Sequence, residues 1–461
     1  MKSKVLTPAI FFFTLVFTYS GNATNLLDVY NSAKASDPVL AGAQATHQAR
    51  QQAMPQARSA LLPNITLSGS KSDNTRKFPG AVFSNDPSDP LFGLAVPKQK
   101  FSDTVWQAEA TQPLLDLESW YTYGSAKATV KQADAEFVAA EQNLIVRVVE
   151  AYLNVLRAQD RLDAATAEET AVKRQLEQVQ QRFDVGLVAI TDVLESTAAY
   201  DNASVRRIQA DGDHDIFFET LRTLSGVAYP SLDRLSEELP IVNPTPGVEL
   251  AWTDQAMLGN LSIQAAEQQL LASKQTLKAR KSSHLPTIRG IVTHSEFETG
   301  GSNFLGDRTN TTTYAIQARV PIFQGGFIHS RAREAKYQME AAKQQLLEKQ
   351  LNVTRDTRNL FRAVSTDVLR VNARQRAIKS SESALEATET GYEVGTRNIV
   401  DVLQAQQRLF SSQFDYADSR YNYVLDLLRL KQASGSLEES DLLQLNNFTT
   451  ANNPVKNKTT N

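Results

Sequence analysis

The chain has 461 residues, with 48 Lys plus Arg against 51 Asp plus Glu and a formal net charge of −3. Hydrophobic residues make up 41%, charged residues 21%, and Cys is absent. This excludes a disordered polymer, a disulfide scaffold and thiol chemistry, and it gives no electrostatic case for a nucleic-acid partner. Beyond the first 20 residues no window supplies the roughly 20 apolar residues of a membrane-spanning helix. A chain of this length ordinarily folds as several globular domains, yet its 20 Gly and 16 Pro leave long stretches unbroken.

Taken in chain order, Lys2 and Lys4 precede an apolar core, Ala9 to Phe17, and Gly21-Asn22-Ala23 offers a small-residue cleavage site. Residues 1–23 therefore read as a secretory signal peptide, and the chain is expected to work outside the cytoplasm. No Cys follows, so no lipid anchor is expected. Residues 25–60 read as helical, interrupted near Pro38 and Pro55. A pair of β-strands is expected at about 62–75 and 102–113. There Ile65 and Leu67 alternate with Thr66 and Ser68, and Trp106, Ala108 and Ala110 alternate with Gln107 and Glu109. A polar loop, Thr75 to Ser102, joins the two.

Neither Gly nor Pro occurs between Gly124 and Gly186, and strong helix formers fill the gap. A helix of about 60 residues is about 90 Å long and needs partners along its whole length. Val130, Ala133, Phe137, Ala140, Leu144, Val148, Ala151 and Val155 repeat at close to 3.5 residues, the period of left-handed helix packing. Residues 187–224 read as a second helix with a flaw at Gly212, and Pro240, Pro244, Pro246 and Gly247 mark a linker. Residues 261–283 read as helical. A second strand pair is expected at about 285–297 and 310–322, where Ile288, Gly290 and Val292 alternate with Arg289, and Tyr314, Ile316, Ala318 and Val320 alternate with Gln317 and Arg319. The polar segment Phe297 to Asn310 reads as the loop between them. A second break-free run lies between Gly326 and Gly391, with Phe361, Val364, Val368 and Val371 in the same spacing. Residues 400–431 read as helical, and from about Asn447 the Asn-, Thr- and Lys-rich tail reads as disordered.

The chain repeats itself. Phe183-Asp184-Val185-Gly186 answers to Tyr392-Glu393-Val394-Gly395, and Ile190-Thr191-Asp192-Val193-Leu194 to Ile399-Val400-Asp401-Val402-Leu403, 209 residues later. Pro113-Leu114-Leu115 answers to Pro321-Ile322-Phe323, and Leu62-Pro63 to Leu285-Pro286. The expected layout is a signal peptide 1–23, a first repeat 24–240 turning near 186, a second repeat 241–435 turning near 395, and a C-terminal segment 436–461. Strands with one apolar and one polar face resemble membrane β-strands. Four of them cannot close a spanning barrel, because open edges in lipid leave backbone groups unpaired. If they span, the chain oligomerises; a trimer would supply 12 strands.

At these motifs the chain resembles the TolC (outer membrane factor) family, the trimeric outer-membrane exit ducts of Gram-negative bacteria. The resemblance rests on Asn25-Leu26-Leu27-Asp28-Val29-Tyr30, on Gln181 to Val193, on Pro321-Ile322-Phe323-Gln324-Gly325-Gly326, on Gly391 to Arg397, on Ile399 to Leu403 and on Arg420-Tyr421-Asn422-Tyr423. It implies a mixed α+β membrane protein. In it a trimeric 12-stranded outer-membrane β-barrel is continued by a long periplasmic α-helical barrel, with a mixed belt near residues 226–250 and after Gly435. It also implies a passive duct for drug efflux or type I protein secretion, a homotrimer embedded in outer-membrane lipid. The implied partners are a periplasmic adaptor (membrane fusion protein) and an inner-membrane transporter of the RND, ABC or MFS type.

The resemblance assigns roles residue by residue. Thr191, Asp192, Tyr392 and Arg397 match a network that holds the periplasmic helix tips closed, with Arg397 to Asp192 a charge-assisted bond. Gly186, Leu187, Val188, Ala189, Gly395 and Thr396 match tip contacts to the adaptor. Asp401 matches an entrance ring of carboxylates that attracts cations. Where the family has a second Asp three residues on, this chain has Gln404, so weaker cation selectivity is expected.

No catalytic, cofactor or metal site is expected. The histidines, at 47, 214, 284, 294 and 329, show no ligand spacing. Asp211, Asp213, His214 and Asp215 resemble a calcium loop, but Ile216 stands where Gly is needed, and the segment reads as a solvated helix face. A non-channel coiled-coil surface protein would account for the signal and the long helices, but not for the duplicated strand pairs.

Overall fold

The computed structural model describes residues 23–95, 98–301 and 304–458, so almost all of the expected signal peptide lies outside the described residues. The elements in chain order are α1 (Leu26–Ser36), α2 (Pro38–Gln51), α3 (Ala53–Ser59), β1 (Asn64–Arg76), β2 (Gln99–Leu115), α4 (Leu117–Asp184), α5 (Ile190–Ser225) and β3 (Ser231–Leu235). There follow α6 (Glu249–Gly259), α7 (Leu261–Ser282), β4 (Thr287–Gly301), β5 (Phe304–Arg319), α8 (Phe327–Glu393), α9 (Ile399–Ser434), α10 (Glu439–Asn446) and β6 (Thr449–Lys456). The break-free runs are the continuous helices α4 and α8, of 68 and 67 residues. Two structural units are built from alternating parts of the chain, and α4 and α8 contribute residues to both.

One unit comprises residues 42–139 and 257–353. Its centre is an antiparallel sheet in the order β1-β2-β4-β5, so strands of the first repeat pair directly with strands of the second. The register aligns Ile65, Ala110, Val292 and Tyr314 in one row across all four strands. Directly opposed residues share a face. The neighbouring face carries Thr66, Glu109, Thr293 and Thr313 in one row and Ser68, Gln107, Ser295 and Thr311 in another. The apolar face is uncovered: Ile65, Leu67, Tyr314 and Ile316 are all more than 70% exposed. Trp106 lies across its partner Gly69, where an added Cβ would come within 2.6 Å of the indole ring. β1 and β5 each have one edge with no strand partner among the described residues.

The sheet corrects one expectation. The polar stretch 297–310 is not a long loop; β4 and β5 pair through Gly301 and Phe304. Backbone pairing does not require apolar side chains, and Thr and Phe at 297, 299 and 309 suit a strand. Against the sheet's unit pack its own helices. Ser125 Oγ donates to the Ala272 carbonyl at 3.0 Å, and Arg280 meets Glu118 at 2.6 Å.

The other unit comprises residues up to 41, 140–256 and 354 onward. Leu144, Val148, Val155, Val364, Val368 and Val371 are buried, so the 3.5-residue seam is a packing seam. Its polar ties are long-range. Asp37 accepts from Arg147 Nη2 at 2.5 Å, Tyr152 OH donates to the Asp233 carbonyl at 2.6 Å, and Arg234 reaches Asp160 at 2.9 Å and Asp163 at 2.7 Å.

Two further expectations fail here. The tail after Asn447 is ordered: β6 pairs antiparallel with β3 in a two-stranded sheet. Its polar composition mimics disorder, but β3 offers a ladder, and Val455 is buried at 1% exposure. Nor is the 211–215 segment uniformly solvated. His214, in α5, is fully buried, edge-on to Phe218 with ring centroids 5.0 Å apart, and burial lowers its pKa. Gly212, read as a flaw, sits within an uninterrupted α5.

Candidate functional site

The matched residues gather at the turns that join α4 to α5 and α8 to α9. Both turns use a glycine in the left-handed region, Gly186 at φ 77° and Gly395 at φ 80°. Two of their backbone hydrogen bonds correspond. Gly186 N–H donates to the Phe183 carbonyl and Leu187 N–H to the Arg182 carbonyl, both at 2.8 Å. Gly395 N–H donates to Tyr392 at 3.1 Å and Thr396 N–H to Gly391 at 2.8 Å. This pairing closes a helix C-terminus on a residue that needs no Cβ.

The turns sit beside a common apolar cluster. Val179, Val193, Ile399 and Val402 form its buried centre, with Phe183, Val188, Leu385, Tyr392 and Leu403 packed around it. Both hairpins of one chain therefore share one small core. Val185, Leu187 and Ile190 remain at least half exposed on the first turn, and Val394 is 70% exposed on the second.

The second turn carries more polar structure. Asn398 caps α9 by accepting from the Asp401 N–H at 2.8 Å, while the Asp401 carboxylate accepts from the Asn398 N–H at 3.4 Å, a reciprocal capping box. Arg397 Nη1 stands 3.9 Å from the same carboxylate. Asp401 thus serves as cap and counter-ion as well as candidate entrance charge. Gly391 lets the Arg397 side chain cross it; a Cβ there would lie 2.8 Å from Arg397 Cγ.

Tyr392 is held under the Arg182 guanidinium, 5.0 Å from its ring centroid, and its hydroxyl is buried without a hydrogen-bond partner. Burial raises its pKa, Arg182 opposes this, and Asp192 adds to it. Thr191 Oγ1 lies 3.5 Å from Asp192 Oδ1. Within one chain Arg397 is therefore with Asp401, while Asp192 belongs to the surroundings of Tyr392. Gln404, one turn beyond Asp401, lines a 370 Å³ groove with Glu195, Ala199 and Asn202 of α5 and Glu168 of α4. Arg206 closes on Glu168 at 2.7 Å in the same groove. That ion pair carries no motif in the sequence, although its acid is 6% exposed.

Sequence reading also missed Asp367 of α8. It is 2% exposed, 2.7 Å from Arg370, and its pKa is pushed up to about 6 by burial and by the neighbouring Asp426. Its place inside the apolar spacing, between Val364 and Val371, was the available signal. Among the described residues no group of three or more His, Cys, Asp or Glu side chains could hold a metal ion, and no helix is long and apolar enough to cross a membrane.

An open-edged sheet with one apolar face, followed in each repeat by a long helical hairpin, defines a class of channel-forming outer-membrane proteins. The outer membrane efflux protein profile matches residues 29–227 and 252–436, and the chain belongs to that family. It is 34% identical over 427 residues to outer membrane protein TolC of Vibrio cholerae serotype O1, covering 92% of this chain and 93% of that protein. It is 32% identical to TolC of Escherichia coli K12, covering 94% and 86%. It is 26% identical to the alkaline protease secretion protein AprF of Pseudomonas aeruginosa, covering 97% and 92%. Among solved structures, the Campylobacter jejuni CmeC outer membrane channel superposes with a TM-score of 0.73 at 16% identity, covering 97% of this chain and 98% of that one. The open state of the Neisseria gonorrhoeae MtrE channel gives 0.70 at 18% identity, covering 90% of each. The chain is an outer-membrane exit duct that extends into the periplasm. Its similarity to TolC-family channels supports partnership with an adaptor and an inner-membrane transporter.

Proposed function

We propose that three copies of the chain close one 12-stranded barrel in outer-membrane lipid, continued by a periplasmic tunnel of α-helices. The observation that carries this reading is the sheet order β1-β2-β4-β5, which leaves β1 and β5 with open edges. In lipid each unpaired backbone group costs several kcal/mol, so joining β5 of one copy to β1 of the next removes the cost around a closed ring. The apolar row through Ile65, Ala110, Val292 and Tyr314 would face lipid, and the Thr- and Ser-rich face the lumen.

In this reading the Gly186 and Gly395 turns are the periplasmic tips. Thr191, Asp192, Tyr392 and Arg397 hold them closed, with Arg397 within reach of a neighbouring copy's acid once Asp401 releases it. Asp401 supplies a single acidic ring at the entrance, and Gln404 stands where a second would be. The tip residues Gly186, Leu187, Val188, Ala189, Gly395 and Thr396 receive the adaptor, all exposed except the half-buried Val188. Similarity to both TolC and AprF supports two kinds of cargo, small amphiphiles and secreted polypeptides. Extraction from outer membranes should require detergent and yield a trimer on native gels; a soluble monomer would overturn the barrel. Deleting the gene should raise drug susceptibility, deplete the secreted proteome, or both.

A further inference from the structure

His284 and His329 are 45 residues apart in sequence, yet their rings meet with centroids 4.8 Å apart and planes inclined at 53°. Both side chains are exposed. Among the described residues neither ring takes part in a hydrogen bond or an ion pair. Their place in the fold is specific. His284 lies between the end of α7 at Ser282 and the start of β4 at Thr287, and His329 lies in the first turn of α8, after β5 ends at Arg319. The pair thus spans the two connections at the foot of the β4–β5 hairpin.

The flanking structure fixes the first of these connections. Glu118 Oε1 binds Arg280 at 2.6 Å and Glu118 Oε2 accepts from Ser283 Oγ at 2.7 Å, beside His284. The nearest guanidinium on α7 is therefore already neutralised. The second ring stands beside Ile328, which is 8% exposed and anchors the start of α8. With ring centroids 4.8 Å apart, the two imidazoles are close enough for one nitrogen of each to reach a shared ion. Imidazole nitrogens bind divalent transition metals at about 2.0–2.1 Å, and two rings sharing one ion at a near-tetrahedral or square angle have centroids about 4.5–5 Å apart.

We propose that His284 and His329 form a two-histidine site for a divalent transition-metal ion, which staples the foot of the β4–β5 hairpin. Water fills the remaining coordination positions, because among the described residues no carboxylate joins the two rings. Nitrogen ligands and open positions favour Cu²⁺ over Ni²⁺ and Zn²⁺, and disfavour Mg²⁺ and Ca²⁺, which prefer oxygen donors. The site belongs to the second repeat alone. Leu61 precedes the Leu-Pro step in the first repeat as His284 does in the second, and Tyr121, which carries Lys278 5.8 Å over its ring, stands 208 residues before His329. A second copy of the site within the chain is therefore not available.

The test uses the untagged full chain, purified in detergent and stripped with chelator. Titration with Cu²⁺ should show one equivalent per chain, with an electron paramagnetic resonance spectrum of nitrogen ligation, and Zn²⁺ should compete while Mg²⁺ does not. His284→Gln and His329→Gln should each weaken Cu²⁺ binding at least tenfold, whereas His294→Gln should leave it intact. Cu²⁺ should raise the unfolding midpoint of the unsubstituted protein but not that of either variant. Retention of one tight, nitrogen-ligated equivalent in the His284→Gln/His329→Gln double variant would overturn the proposal. So would the absence of any saturable binding in the unsubstituted protein. Because both side chains are exposed, an unchanged elution volume of the variants establishes that loss of binding is not loss of fold.

Discussion

The two helical turns of this chain have the same backbone and different chemistry. Each closes its helix with a left-handed glycine and the same two hydrogen bonds, 209 residues apart. Yet Ala189 enters α5 without a side-chain cap, while Asn398 enters α9 with a full capping box. Val188 of the first turn corresponds to Arg397 of the second, Phe183 to Tyr392 and Glu195 to Gln404. The two turns thus share what the backbone requires, a glycine and its carbonyl acceptors, and differ in their side chains. The first turn is an apolar surface, with Val185 and Leu187 both at least 70% exposed, and the second adds Arg397 and the Asn398–Asp401 capping box.

The contrast extends up the long helices, where the largest effect on stability is expected. Asp367 of α8 stands where α4 has the buried Ala158, 209 residues earlier. Its folded pKa is raised from 3.8 to about 6. The folded state therefore holds a proton that the unfolded state releases, and stability falls as pH rises through about 4 to 6. At about 1.4 kcal/mol per tenfold change in ionisation, the loss is up to about 3 kcal/mol. Asp367→Asn should raise the unfolding midpoint at pH 7.5 and flatten its dependence between pH 4 and 6. An unaltered pH profile would show that the acid is not the source.

A smaller effect should come from making the second turn resemble the first in charge. Gln404→Asp adds a carboxylate one helical turn from Asp401, and block of the pore by multivalent cations should strengthen about tenfold, equivalent to about 1.4 kcal/mol. Equal block in the two proteins would show that position 404 faces the α5 groove and not the permeating ions. Gly391→Ala should destabilise the second turn by about 1–2 kcal/mol, since its Cβ meets Arg397 Cγ at 2.8 Å. Hydrogen exchange at residues 391–398 should accelerate. Smallest, Asn398→Ala should cost about 1 kcal/mol of α9 stability, while Ala189→Asn should stabilise α5 by up to that amount. Opposite signs in thermal unfolding would establish the capping asymmetry; equal signs would dissolve it.

The long helices and the strand pairs were legible because Gly and Pro punctuate the chain and because alternation marks a two-faced strand. What was not legible depends on partners distant in sequence. Strand β6 looks like a tail until β3, more than 200 residues away, supplies its ladder. The 297–310 stretch looks like a loop because its polar residues belong to a sheet that does not bury them. His214 looks solvated among three aspartates, and only packing against Phe218 shows otherwise. His284 and His329 have no motif spacing, because two strands separate them. At the turns the roles of Thr191, Asp192, Tyr392 and Arg397 came from family resemblance. What the structure adds is the Arg397–Asp401 approach and the capping box.

The central claim is that the polar second turn latches a duct shut. Single-channel conductance in planar lipid bilayers tests it most directly, comparing the unsubstituted protein with Arg397→Ala, Tyr392→Phe and the double variant. Removing the guanidinium frees Asp401, and removing the buried hydroxyl loosens the packing under Arg182. Conductance should therefore rise in each single variant and severalfold in the double. Conductance unchanged in all three would contradict the latch and leave these residues as turn-formers only.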